Sequence, residues 1–217
     1  MLTLVLFGRP ASGKGTLGQH LSDAEGFRAC STGAAMRAWA AGPDPEQVEL
    51  RRVMAAGGYG SDELAVRIVQ EFIAALPADV PGVILDGFPR DRAQLDAWLA
   101  FPADHGVAVV VDTPVDVCRD RVQGRMVCVD CGWTGHVPAT TCELCGHWLE
   151  RRTDDLDAAA FDRRQAEYER RTAPLVDAWA EAGLPMIRLD GTLRAEDIAA
   201  ELLAALERLP GPVAAAR

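Results

Sequence analysis

The stretch Leu2-Thr-Leu-Val-Leu-Phe7-Gly8-Arg-Pro-Ala-Ser-Gly13-Lys14-Gly15-Thr16 decides the fold. Its opening apolar run, Leu2 to Phe7, reads as a buried strand. The turn from Gly8 to Gly13 then delivers the chain into a helix beginning near Lys14. This is G-x-x-x-x-G-K with the hydroxyl residue, Thr16, one place later than the strict form. Such a turn points backbone N–H groups inward, and the helix that follows adds unpaired donors and partial positive charge, so the two together hold phosphate. Gly8, Ala11, Ser12, Gly13, Gly15 and Thr16 form the cradle; Lys14 reaches the β and γ phosphates, and Thr16 supports magnesium or a phosphate oxygen. The plainer reading is an ordinary strand-to-helix turn, but strand, loop, lysine and helix standing in register favour the phosphate.

Three more short apolar runs stop at an acidic residue: Val83 to Leu85 before Asp86, Val107 to Val111 before Asp112, and Pro185 to Leu189 before Asp190. Helical patterns lie between and beyond them, over Glu63–Leu76, Arg92–Leu99, Val115–Val122, Phe161–Ala182 and Arg194–Leu209. Short strands alternating with helices predict an α/β fold, a P-loop NTPase-type parallel sheet flanked by helices, with ligands at the carboxyl ends of the strands. Asp86 at one such end is placed to orient magnesium-bound water, or simply to start a turn.

Two stretches break the rhythm. Residues 31–61 hold two modest helices, Thr32 to Ala41 and Pro45 to Ala56, and form a helical insertion; residues 125–155 are turn-rich and form a second. The core domain is then 1–30, 62–124 and 156–217, with Pro210 to Arg217 expected to fray.

The second insertion carries Cys128-Val-Asp-Cys131 and Cys142-Glu-Leu-Cys145, each pair followed by glycine. Four thiolates at this spacing close a tetrahedral shell, the arrangement of structural Zn2+ rather than of a catalytic metal. Disulfides and an iron–sulfur cluster are the lesser readings; His136 and His147 are read as surface residues, and Cys30 and Cys118 as buried thiols.

The formal charge is −10, and no lysine-rich or arginine-rich tail is present to meet nucleic acid or a lipid surface. Met1 to Phe7 lacks a basic leader and is far shorter than a membrane span, so a cytoplasmic protein without nucleic-acid or membrane partners is expected. Any arginine with a functional role is then expected to serve a small anion locally; the plainer reading of any single one is a solvated salt bridge. Arg37, Arg90, Arg121, Arg125, Arg152, Arg163 and Arg164 are the candidates. Arg121 and Arg125 are four apart, on one face of a helix leading into the second insertion, and Arg152, Arg163 and Arg164 follow its exit, where closure would deliver them to phosphates.

With G-x-P-x-x-G-K-G-T at Gly8 to Thr16, S-T-G at Ser31 to Gly33 followed by Arg37, D-G-F-P-R at Asp86 to Arg90 followed by Gln94, the paired cysteines, R-x-D-D at Arg152 to Asp155 and D-G-T at Asp190 to Thr192, the chain resembles the adenylate kinases, of the bacterial kind with a zinc-bearing lid. The likeness runs from Leu2 to about Leu206. It implies reversible phosphoryl transfer from MgATP to AMP giving two ADP, by a monomer. By matched motif it implies that Lys14 stabilises the moving phosphoryl group, that Arg125 and Arg152 come from the lid, and that Arg37 and Arg90 grip the AMP phosphate. Thr32, Gly60, Gly87 and Gln94 fall at the AMP site, with Gln94 reading the adenine edge; Arg121 and the backbone at Leu193 meet the triphosphate nucleotide. The remaining catalytic arginine is Arg164 counted back from Tyr168 and Thr172-Ala-Pro174, and Arg163 counted forward from Asp155; the helix spacing favours Arg164.

The chain departs from the family pattern in places. Ala11 stands where glycine is usual, Ala34 replaces an aspartate, Gly60 replaces a branched apolar residue whose gap Tyr59 would fill, Leu193 replaces lysine, and only ten residues separate Cys131 from Cys142. These leave two alternatives open: a monophosphate kinase with another base preference, and a nucleotide-binding relative without turnover.

Overall fold

The computed structural model describes residues 1–100, 105–152 and 155–209; the expected fraying of Pro210 to Arg217 lies outside them, as does Asp154. Strand β1 (Leu2–Phe7) is buried along its whole length and lies at the centre of a parallel sheet. With β2 (Arg28–Ser31), β3 (Gly82–Asp86), β4 (Val107–Asp112) and β8 (Met186–Asp190) the order is β2-β3-β1-β4-β8. The side chains of β1 alternate between two cores, as period-two geometry requires. Val5 and Phe7 pack with Leu95, Leu175 and Trp179 on one face, and Leu4 and Leu6 with Leu17, Leu21, Ile198 and Leu202 on the other. Burying each such side chain stabilises the sheet by about 2 kcal/mol.

Register aligns the strand ends. Leu6 and Ser31 both stand opposite Asp86, and Asp112 stands opposite Asp190, so the acidic strand ends share one edge of the sheet. Because β1 has β3 on one side and β4 on the other, the chain leaving Phe7 enters the crevice where the strand order reverses.

The four strands expected from apolar runs are all present. Strand β2 was not expected; Arg28 and Ala29 are exposed at the sheet edge, and an edge strand with one apolar side carries little periodic signal. Helices α1 (Lys14–Glu25), α2 (Thr32–Trp39), α3 (Pro45–Ala55), α4 (Asp62–Ala74), α5 (Arg92–Leu99) and α6 (Val115–Gly124) follow the sequence reading to within a few residues. Side chains cap several of them: Ser31 accepts from the Ala34 N–H, Ser61 from Leu64 and Asp91 from Gln94.

Two expectations are corrected. Arg121 and Arg125 do not share a helix face, because α6 ends at Gly124 and Arg125 opens strand β5 (Arg125–Cys128), opposite His136. The helix expected over Phe161–Ala182 is not continuous. It begins at Ala158, where Asp157 caps α7 (Ala158–Glu167), passes through a π-helical turn at Tyr168–Thr172, and resumes as α8 (Pro174–Glu181). Pro174 has no N–H to donate to the preceding turn, and the wider turn is closed by the Ala173 N–H on the Tyr168 carbonyl at 2.8 Å. Helix α9 (Ala195–Leu206) ends the described fold. The second insertion forms a small antiparallel sheet, β6 (Thr134–His136), β5 and β7 (Leu149–Glu150), in the order β6-β5-β7. Among the described residues no helix is long and apolar enough to cross a membrane.

Candidate active site

Gly8 leaves β1 with no room for a side chain: a Cβ there would stand 2.6 Å from Ser12 Oγ and 2.7 Å from the Val111 carbonyl. The loop turns through positive φ at Ala11 (62°) and Gly13 (103°). Gly13 is the N-cap of α1 and offers no capping side chain, so the first-turn amides face the loop. Ala11 is the only non-glycine residue with positive φ among those described. The strain of about 1 kcal/mol is offset by its methyl, which packs on Cys118, Val122 and Phe161.

Lys14 is the single lysine of the chain. Its ammonium donates to the carbonyls of Gly8 and Arg9, both at 2.8 Å, and to Ser12 Oγ at 3.3 Å. Burial pushes its pKa down to about 8, against the pull of the Asp86 carboxylate, while Arg90 and Arg164 add to the lowering. The Thr113 hydroxyl donates to the Ser12 carbonyl at 2.9 Å and Arg121 to the same oxygen at 3.1 Å; Arg121 also donates to the Gly191 carbonyl at 2.8 Å. Arg121 thus ties the loop to the turn after β8, where Leu193 is partly exposed. Gly15 and Thr16 are exposed at the start of α1.

On the other side of Asp86, Arg90 donates through Nε to the Gly87 carbonyl at 2.8 Å, and its guanidinium lies over the Tyr59 ring at 4.4 Å. Gly87 has φ 84°, and a Cβ there would meet Arg90 Nη2 at 2.6 Å and Thr32 Oγ1 at 2.8 Å. Arg37 approaches the same place. A Cβ on Gly33 would stand 3.3 Å from Arg90 Nη2 and 3.5 Å from Arg37 Nη1. Thr32 is buried, and its hydroxyl donates to the Gly87 carbonyl at 2.8 Å, so it holds the strand-end turn. Tyr59 does not fill the space beside Gly60, which Met36 and Leu50 occupy; a Cβ on Gly60 would stand 2.7 Å from Met36 Sδ. Gln94 is buried, with both ends of its amide engaged by Arg90 and Asp62.

From the second insertion, Arg125 forms a two-point ion pair with Asp155, Nε to Oδ2 at 2.7 Å and Nη2 to Oδ1 at 2.6 Å. Arg164 reaches the same carboxylate at 3.4 Å. Arg163 points elsewhere, to the Ala56 carbonyl and Asp157, both at 2.6 Å. Arg152 is partly buried, and its carbonyl accepts from the Asp155 N–H at 3.0 Å.

The four cysteines converge. Sγ atoms of Cys128 and Cys145 lie 3.4 Å apart, of Cys131 and Cys142 3.5 Å, and of Cys131 and Cys145 3.6 Å. A disulfide needs about 2 Å, whereas the edge of a tetrahedron with metal–sulfur bonds of about 2.3 Å is about 3.8 Å. The spacing fits a closed four-sulfur metal site. Two matching turns build it: Gly132, at φ 75°, donates to the Cys128 carbonyl at 3.1 Å, and Gly146, also at φ 75°, to that of Cys142 at 2.9 Å. Cys30 and Cys118 are buried free thiols, while His136 and His147 are exposed.

Thr113 and the π-helical residue Arg171 lack a signal of their own in the sequence. Like Asp155 and Thr172, they act on other side chains or on carbonyls. Thr172 donates to the Arg90 carbonyl at 2.7 Å, and Arg171 pairs with Asp91. The pattern Asp91-x-x-Gln94, an N-cap with a polar residue three on, is a local signal that could have pointed to this cluster.

Comparison with known proteins points the same way. The model of the family described as adenylate kinase matches residues 6–184. The chain is similar to the adenylate kinase of Novosphingobium aromaticivorans, 32% identical over 94% of this chain and 99% of that protein. It is likewise similar to those of Carboxydothermus hydrogenoformans, 32% identical over 95% and 100%, and Pelobacter propionicus, 33% identical over 95% and 97%.

Proposed function

The chain belongs to the adenylate kinase family, and from that premise we propose how its residues carry the family's reaction, reversible phosphoryl transfer from MgATP to AMP giving two ADP. The supporting observation is that Lys14, in the loop leaving the carboxyl end of β1, stands next to Gly15, whose Cβ position is 3.9 Å from the Asp86 carboxylate at the end of β3, where Arg90 folds back on the Gly87 carbonyl. A loose transition state spreads negative charge over three oxygens, and fixed cations in a dry site stabilise that charge without reorganising. The loop amides from Gly8 to Gly15 hold the triphosphate, and Lys14 exchanges its carbonyl partners for β and γ oxygens. Arg121 braces the loop and meets the triphosphate nucleotide. Asp86 and Thr16 face the magnesium of MgATP.

Arg37 and Arg90 grip the AMP phosphate on either side of Gly33, with Tyr59 supporting the Arg90 plane. Gln94 reads the base. Residues 31–61 and 125–155 move over the 1–30, 62–124 and 156–217 core, excluding water as the competing acceptor and bringing Arg125, Arg152 and Arg164 to the moving phosphoryl group. Asp155 takes the Nε–Nη2 edge of Arg125, so the Nη1 side faces the transferred group. Arg164, which shares Asp155, is the catalytic member of the Arg163–Arg164 pair. Cys128, Cys131, Cys142 and Cys145 hold Zn2+, which supplies shape to a lid too small to build its own core. On this reading the protein works as a monomer in the cytoplasm, as the resemblance to bacterial adenylate kinases implies.

The test is a side-by-side assay of AMP, GMP, CMP and UMP with MgATP. AMP turns over fastest, and Lys14→Met loses about a thousandfold in kcat. ATP binding with no product from any monophosphate would sink the enzymatic reading, and faster turnover of GMP would sink the assignment of AMP.

A further inference from the structure

The side-chain amide of Gln94 is held from both ends. Its Oε1 accepts from the Arg90 backbone N–H at 2.8 Å, and its Nε2 donates to Asp62 Oδ1 at 2.7 Å. A backbone N–H can only donate, and a carboxylate can only accept. The two partners therefore fix the same orientation of the amide, oxygen toward Arg90 and nitrogen toward Asp62. The holders are themselves held. Asp62, the first residue of α4, lies 3.5 Å from the Arg171 guanidinium, which also pairs with Asp91. Asp91 accepts from the Gln94 backbone N–H at 2.9 Å. Asp62 and Gln94 also line one open cleft, together with Val66, Arg67 and Gln70.

An amide carries two N–H donors and two oxygen lone pairs. One of each is used here, leaving one donor and one acceptor in a fixed order for a ligand. Adenine presents an acceptor at N1 beside a donor at N6, and guanine presents the reverse, a donor at N1 and an acceptor at O6. With phosphate and ribose fixing where the base lies, the order along the amide decides which purine pairs. We propose that Asp62 is a positioning residue for base selection: by accepting from Nε2 it prevents the Gln94 amide from turning over, and so excludes guanine. This rests on Gln94 reading the base. Cytosine repeats the adenine order and uracil the guanine order, so the same lock disfavours UMP.

The test compares kcat and KM for AMP and GMP at saturating MgATP in the wild type, Asp62→Ala, Asp62→Asn and Gln94→Ala. In Asp62→Ala the KM for AMP rises about tenfold while kcat and the KM for ATP stay within about twofold, and the preference for AMP over GMP narrows. Asparagine still offers an Oδ1 acceptor, so Asp62→Asn keeps most of the preference although it loses the charge facing Arg171. If Gln94→Ala weakens AMP but Asp62→Ala leaves the AMP to GMP ratio at its wild-type value, the lock is refuted and the reading by Gln94 survives. The lock is equally refuted if Asp62→Asn loses the preference as fully as Asp62→Ala, for then the charge and not the acceptor is responsible. If Gln94→Ala leaves the KM for AMP unchanged, the reading by Gln94 falls and the lock with it.

Discussion

Lys14 donates to its own loop carbonyls, so a phosphate replaces existing partners rather than meeting a bare charge. Its pKa of about 8 lies below the unfolded value of about 10.4. The unfolded chain therefore binds the extra proton between these values, and stability rises with pH through that window. Phosphate favours the charged form. ATP binding is then accompanied by uptake of a proton at pH 9 and by little uptake through Lys14 at pH 7. Calorimetry in buffers of different ionisation enthalpy reads this directly, and Lys14→Met abolishes it; equal proton uptake in that variant would assign the proton elsewhere. A second expectation concerns Ala11. Ala11→Gly relieves the positive φ but loses the methyl packed on Phe161 and Cys118 and adds chain entropy to the unfolded state. These effects nearly cancel, so the melting temperature shifts by no more than about 2 °C.

Among the elements, the second insertion depends most on one atom cluster. Its strands are two to four residues long, and its buried apolar cluster consists of Leu149 with Cys128 and Cys142. Freshly purified protein should contain about one zinc per chain, and Cys142→Ser should lower both zinc content and kcat while the five-stranded sheet keeps its far-ultraviolet dichroism. Full zinc-free activity would show that the cysteines do not order the lid. Where the insertion rejoins the core, Asp155 is buried between Arg125 and Arg164. Asp155→Ala leaves both cations without their shared carboxylate and costs about 3 kcal/mol, seen as a fall in melting temperature of about 6–12 °C. Asp155→Asn, which retains the acceptors, should cost less.

Across the whole molecule, a net charge of −10 coexists with a proposed site for anionic ligands built on arginines and the one lysine, so long-range charge does not describe the site. A bisubstrate dinucleotide occupying both halves should stabilise the protein by about 4 kcal/mol at a thousandfold excess over its Kd, and Arg90→Ala should remove most of that gain in a thermal-shift assay. The sequence by itself determined the parallel sheet, because fully buried strands must be written as unbroken apolar runs. It also determined the phosphate loop and the four-sulfur site, because a tight turn and a metal shell each demand fixed residue types at fixed local spacing. Only the tertiary structure decided the edge strand β2, whose pairing with β3 is not written in its own residues, and the π-helical turn that aims Arg171 and Thr172 at the strand-end loop. It also sent Arg164 to Asp155 and Arg163 to Ala56 and Asp157, and it set the Gln94 amide between Arg90 and Asp62. Gln94 and Asp62 lie 32 residues apart in the chain, and Arg171 and Asp91 lie 80 apart. Such pairs leave no local pattern, because their partners meet only after the sheet has brought the helices together.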